Sequence, residues 1–206
     1  MEKKYQMLKE RREYRDAEGR MCVISSVTLP EFIPGYGLSA RADEFYKEMR
    51  ARFDAFCGKK LLKRACGAKR GRPWGAVMSA RVTLDDGDHV SVIIDARVFD
   101  GEKNGATARV AQVWNAADGT MESVNAFVPP EFRTAVTDII CAAVRERQST
   151  GGSFFKSDAQ KVVRSHFSPR SFYLVPGGVA FYFDAFVLSE SPFPEVFTVK
   201  YDDMRK

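Results

Sequence analysis

The stretch SFYLVPGGVAFYF, Ser171 to Phe183, sets two aromatic-rich runs on either side of Pro176-Gly177-Gly178. Short apolar runs joined through Pro and Gly read as a β-hairpin. A three-residue loop with Gly178 in the left-handed conformation pairs Val175 with Val179, Tyr173 with Phe181 and Phe172 with Tyr182. One face then carries Tyr173, Val175, Val179, Phe181 and Phe183. The other carries Phe172, Leu174, Ala180, Tyr182 and, beyond the strand, Phe186. A strand pair that is apolar on both faces is covered on both faces in a folded domain. If the second face stays open, Phe172, Tyr182 and Phe186 become a ligand or partner surface.

Two amphipathic helices are available as covers. Pro129-Pro130 opens a helix in which Phe132, Val136, Ile139, Ile140, Ala143 and Val144 form one stripe, with Arg133, Asp138, Arg145 and Arg147 facing away. Ser39 can begin another, in which Ala42, Phe45, Tyr46, Met49, Phe53 and Phe56 recur at three- and four-residue steps and Gly58 is the stop. The second of these is expected to cover the second face of the hairpin.

The rest of the chain reads as short strands and turns. MCVISSVTL (Met21 to Leu29) is a strand stopped by Pro30. AVMSARVTL (Ala76 to Leu84), HVSVIIDARVF (His89 to Phe99) and ATARVAQVWN (Ala106 to Asn115) follow one another through DDGD and DGEKNG turns as an antiparallel meander, with AADG turning the chain after them. A short helix is expected around Ser157 to His166, and a last strand from Val196 to Tyr201. Strands in runs with segregated helices give an α+β fold, a mainly antiparallel sheet covered by two amphipathic helices.

With 206 residues, 45% of them hydrophobic, the chain can bury a sizeable core, which excludes disorder of the whole. The net charge of +5 is unevenly placed. Residues 1–20 mix seven basic with five acidic side chains and read as a solvated arm or a short exposed helix, leaving 21–206 as a single domain. Between Gly58 and Gly75, Lys59, Lys60, Lys63, Arg64, Lys69, Arg70 and Arg72 stand without one acid, a basic loop on a mildly acidic body. No run of 18 apolar residues occurs, so no transmembrane segment is read. The sequence as it stands reads as cytoplasmic, or as extracytoplasmic if a leader or anchor has been trimmed.

QVWNAADGTM (Gln112 to Met121) and SFYLVPGGVAFYF, in the order strand, Trp-Asn, Asp-Gly turn, Pro-started helix, Gly-rich break and aromatic hairpin, resemble a known bacterial family. It is the uncharacterised domain at the C-terminal end of the anti-sigma factor RsiV and of related cell-envelope proteins. The resemblance runs from about Ala76 to Tyr201. It departs at Asn104-Gly105-Ala106-Thr107 and at Phe186 to Pro192, where the family often has Gly-Ala-His-Gly-like and Pro-Tyr-x-x-Gly-like turns. The outer domain of RsiV binds lysozyme, so the resemblance implies a non-enzymatic binding or regulatory domain whose partner is a protein or cell-wall ligand.

Residue chemistry offers little for catalysis. His89 follows a turn and His166 ends a helix, and neither has the nucleophile context of a hydrolase; a cell-envelope hydrolase is the weakest alternative. Asp85, Asp86 and Asp88 suit a tight turn and lack the spaced oxygens of a calcium loop. Cys22, Cys57, Cys66 and Cys141 show no CxxC spacing and read as buried or idle thiols, so no metal or cofactor is assigned. KRGRP, Lys69 to Pro73, matches an AT-hook core, in which Arg-Gly-Arg lies along a narrow minor groove. Nucleic-acid binding through Lys69, Arg70 and Arg72 is therefore the alternative function.

Overall fold

The charged N-terminal segment is a strand. In the computed structural model, which describes residues 3–68, 72–100, 105–150 and 155–204, β1 (Tyr5–Arg15) pairs antiparallel with β2 (Met21–Phe32) from Tyr5↔Phe32 to Arg15↔Met21. The expected arm or helix over 1–20 is corrected accordingly. β1 is the edge of its sheet and most of its side chains are exposed, so it carries charge where a buried strand would alternate. Charged side chains on an edge also oppose pairing with other chains.

β2 runs three residues beyond its expected stop, through Pro30. Its pairing with β3 (Trp74–Asp85) covers only Val23↔Trp74 to Thr28↔Ser79, so the Pro30 nitrogen faces no ladder on that side. A proline is tolerated where it owes no hydrogen bond. The β2–β3 pair is parallel, because the chain between them crosses over through helices. β4 (His89–Phe99) and β5 (Ala108–Asn115) complete a mainly antiparallel five-stranded sheet in the order β1-β2-β3-β4-β5.

α1 (Ser39–Ala55) buries Ala42 and Tyr46 and half-buries Phe45, Met49 and Phe53, the stripe expected of it. It does not end at Gly58. The chain continues through a π-helical turn, Phe56–Leu61, into α2 (Leu62–Gly67). Gly58 serves there by its smallness: a Cβ on it would lie 3.3 Å from the Tyr14 ring. The π turn directs Cys57 and Leu61 into a cluster with Val23 and Ala76. Lys59, Lys60, Lys63 and Arg64 are thus helical, where the sequence suggested one basic loop over 58–75.

α3 (Arg133–Ser149) follows a 3-10 turn at Pro130–Phe132 and buries Val136, Ile140, Cys141 and Val144. α4 (Ala159–His166) adds Ala159 and Val163. These pack on a three-stranded sheet of β6 (Phe172–Val175), β7 (Gly178–Phe183) and β8 (Glu195–Lys200), order β6-β7-β8, followed by a single turn, α5 (Tyr201–Met204).

The hairpin register differs by one residue from the expected one. The loop is two residues, Pro176-Gly177, with Gly177 at φ +76, and the pairs are Phe172↔Phe181, Tyr173↔Ala180, Leu174↔Val179 and Val175↔Gly178. Proline fixes the first turn position and glycine supplies the positive φ at the second. A slip of one residue moves every side chain to the other face. Phe172, Leu174, Val179, Phe181 and Phe183 therefore lie together in the core under α3 and α4, with Phe197 and Val199 of β8. Tyr173, Ala180 and Tyr182 form the other face, and what covers it is Ile93 of β4 and Ala111 of β5, in place of the expected α1.

The described chain separates into two compact units: residues 1–81, 94–106 and 116–120, and residues 82–93, 107–115 and 121–206. The first centres on Val23, Cys57, Leu61 and Ala76, the second on the α3, α4 and three-strand core.

Candidate functional site

Of the three aromatic residues that would form a ligand surface if the second face of the hairpin stayed open, two are interior. Phe172 and Tyr182 are 6% and 7% exposed and point to opposite faces of the hairpin. Tyr182 also bonds through its hydroxyl to the Arg109 carbonyl at 3.4 Å, with the Arg109 guanidinium 5.8 Å from its ring centroid. Phe186 alone is at the surface, 46% exposed.

Phe186 is the one non-glycine residue with positive φ, +65, among the described residues. Such a conformation costs an aromatic residue roughly 1–2 kcal/mol, and it persists only where neighbouring bonds over-determine it. Here they do. The Phe186 N–H donates to the Ser191 carbonyl at 3.0 Å, and Lys156 Nζ donates to the Phe186 carbonyl at 2.5 Å. The loop beyond it is laced by its own serines: Ser189 Oγ donates to Glu195 Oε1 at 2.7 Å and accepts from Ser191 N, while Ser191 Oγ accepts from Phe193 N. Leu188 and Ser189 are buried beneath, and Phe193 stands 48% exposed. The Thr107 N–H reaches the Pro192 carbonyl at 2.8 Å. Sequence reasoning found Phe186 and missed Phe193, whose Ser-Pro-Phe-Pro setting read only as a connection.

Arg72 is exposed, whereas Lys69 and Arg70 lie outside the described residues. On α2 the Arg64 guanidinium sits over the Trp74 ring, 5.5 Å from its centroid.

The imidazoles are engaged locally. His89 stands edge-on to Phe127, ring centroids 5.0 Å apart, with Nδ1 3.9 Å from Asp86. His166 Nδ1 is 2.9 Å from the hydroxyl of the adjacent Ser165. The DDGD sequence makes its turn as expected: Asp86 Oδ1 accepts the N–H groups of Asp88 and His89, and Gly87 has φ +97.

Of the four thiols expected to be buried or idle, two are not buried. Cys66 is exposed and Cys22 half-buried, and Cys66 Sγ donates to Cys22 Sγ at 3.2 Å. Asp16 completes a group whose three ligand atoms lie within 4.8 Å of one another. Its carboxylate is already taken, however: Oδ1 accepts the Glu18 and Arg20 N–H groups, and Oδ2 accepts both Nε and Nη2 of Arg20. Cys57 is wholly buried, and burial pushes its thiol up to about 11. Cys141 is buried against the Gln160 carbonyl, and burial raises it too. The first unit also holds an open groove of about 290 Å³ between α1 and the β1–β2 hairpin. Leu8, Val27 and Leu29 line it, with the Glu10–Arg50 ion pair and Asp43 at its rim.

No family model matches the chain, and no curated protein is similar to it in sequence. Solved structures are similar in fold. A crystal structure of a DUF3298 family protein from Pseudomonas aeruginosa PAO1 superposes with a TM-score of 0.66 at 15% identity, over 98% of this chain and 92% of that one. A DUF3298 family member from Bacteroides fragilis NCTC 9343 gives 0.60 at 11% identity, over 98% and 91%. The chain shares the fold of these uncharacterised bacterial proteins.

Proposed function

We propose that the protein is a non-catalytic binding and regulatory module that recognises a protein ligand through the loop from Asp184 to Pro194, with Phe186 and Phe193 as the contact residues. The observation that carries this reading is Phe186, an exposed aromatic held at φ +65 by hydrogen bonds from both sides. A backbone held in this way fixes the direction in which the side chain leaves the loop before a partner arrives, so little backbone freedom is lost on binding. Aromatic anchors of this kind dominate the energetics of protein interfaces. The resemblance to the RsiV ligand-recognition domain supports the same class of function, working outside the cytoplasm. The local engagement of both histidines supports a module without hydrolytic chemistry.

Lysozyme and soluble peptidoglycan fragments, titrated separately by calorimetry onto the wild type, Phe186→Ser and Phe193→Ser, test the reading. Saturable binding of lysozyme that weakens roughly tenfold or more in Phe186→Ser is the expected result. Binding of peptidoglycan alone reassigns the ligand to the cell wall, and silence from both probes removes the reading. Undiminished lysozyme binding by both variants removes the loop from it.

A further inference from the structure

We propose that Cys22 and Cys66 are a redox-active pair that closes into a reversible intramolecular disulfide fastening α2 to the start of β2.

The pair is assembled by the fold, from residues 44 positions apart. Cys22 is the second residue of β2, beside the buried Val23. Cys66 lies on α2, whose Leu62 and Ala65 pack on the Val23, Cys57, Leu61 and Ala76 cluster. Packing of that short helix brings the two sulfurs to 3.2 Å at the rim of the cluster. A disulfide needs about 2.05 Å, so a movement of about 1 Å closes it. α2 can supply that movement, since none of its six residues is fully buried. The other two thiols are inside separate parts of the core and cannot reach a solvent oxidant without unfolding.

A metal ion is the competing occupant of Asp16, Cys22 and Cys66. Binding one through Asp16 Oδ2, the oxygen that the Cys22 thiol faces at 3.7 Å, sets the ion against the Arg20 guanidinium held there at 2.6 and 2.7 Å. Three protein ligands would still leave a structural site one short. Disulfide formation disturbs none of those bonds.

The chemistry balances with a disulfide oxidant, either oxidised glutathione or a thiol–disulfide oxidoreductase. The exposed Cys66, as thiolate, attacks one sulfur of the oxidant's disulfide, displacing one thiolate and leaving a mixed disulfide. Cys22 loses its proton to solvent, attacks Cys66 Sγ and expels the second thiolate. The protein gives up two protons and two electrons, and the oxidant leaves as two thiols. The hydrogen bond with Cys66, together with burial and the nearby Asp16, pushes the Cys22 thiol up to about 11, so Cys22 holds its proton at neutral pH and its attack quickens as pH rises.

The test is to incubate the reduced full chain with excess oxidised glutathione and map its peptides with and without dithiothreitol. The result expected is a monomer lighter by two hydrogens, with Cys22 linked to Cys66, two of the four thiols lost, and full reversal by reductant. The oxidised form should melt roughly 10 °C above the reduced one. Cys66→Ser, a change at an exposed position, should keep the reduced melting temperature and lose the increment. Four free thiols, stable glutathione adducts without a cross-link, or an increment that survives in Cys66→Ser would overturn the proposal. A stoichiometric Zn(II) ion that blocks alkylation of both cysteines would also overturn it, in favour of a metal site.

Discussion

Ser91 Oγ accepts the backbone N–H of Leu174 at 2.9 Å, inside the protein and across 83 residues of chain. Leu174 lies on β6, the edge of the three-stranded sheet, so its N–H has no strand partner on that side. Thr83 Oγ1 donates to the same hydroxyl at 2.9 Å and orients it. Replacing Ser91 with Ala leaves a buried donor unpaired and is expected to cost about 1–3 kcal/mol in urea unfolding, with Thr83→Val costing less. A Ser91→Ala protein as stable as the wild type would show that water replaces the hydroxyl.

The two glycines of the hairpin do different work. Gly177 has φ +76 with open space around it, so Gly177→Ala should cost roughly 1 kcal/mol of backbone strain. At Gly178 an added Cβ would meet the Val199 carbonyl oxygen at 2.4 Å, forcing β7 from β8. Gly178→Ala is expected to cost about 3 kcal/mol. Equal losses in the two variants would contradict the close approach of β8.

Phe186→Gly separates strain from recognition. Glycine relieves the positive φ, so stability should hold or rise by up to about 1 kcal/mol while ligand binding falls. A clear loss of stability would mean that the ring packs within the domain and is not offered to a partner.

Two carboxyls give opposite pH signatures. Burial raises the Asp43 carboxyl above its ordinary value, against the Phe32 N–H that it accepts at 3.1 Å. Its folded form holds the proton more tightly than the unfolded one, so its stabilisation is present below the unfolded pKa and is lost as pH rises through the folded one. Asp43→Asn should therefore gain on the wild type between pH 3 and 6, roughly the window around an ordinary carboxyl. The backbone N–H and hydroxyl of Thr120 lower the Asp118 carboxyl, whose contribution is present above the unfolded pKa and lost as pH falls. Asp118→Asn should lose on the wild type over the same window. Melting curves across it check both signs, and matching slopes for the two variants would refute them.

Much of the fold was legible because it is written locally. The apolar stripes of α1 and α3 repeat at helical spacing, and the DDGD and AADG turns carry the side chains that bond their own backbone. Three features were not legible, each for a physical reason. β1 has no apolar alternation because an edge strand with exposed faces needs none. Gly58 reads as a helix stop because its role is contact with Tyr14, which lies 44 residues earlier. The Cys22–Cys66 pair has no spacing signature, since β2 and α2 meet only in the folded chain.

The sequence by itself determined the α+β class, most helices and strands, and the presence of a hairpin at Pro176-Gly177, all of which follow from the side-chain periods and turn preferences of neighbouring residues. Only the tertiary structure decided its register, and with it the faces of Phe172 and Tyr182. A strand apolar on both sides has no polar alternation to mark its outer face, so two registers one residue apart look equally good along the chain. The choice fell to packing: Phe181 and Phe183 fill the core under α3, and Tyr173 and Tyr182 meet Ile93 and Ala111. Phe186, just past the end of β7, was left outside both faces, where a partner can reach it.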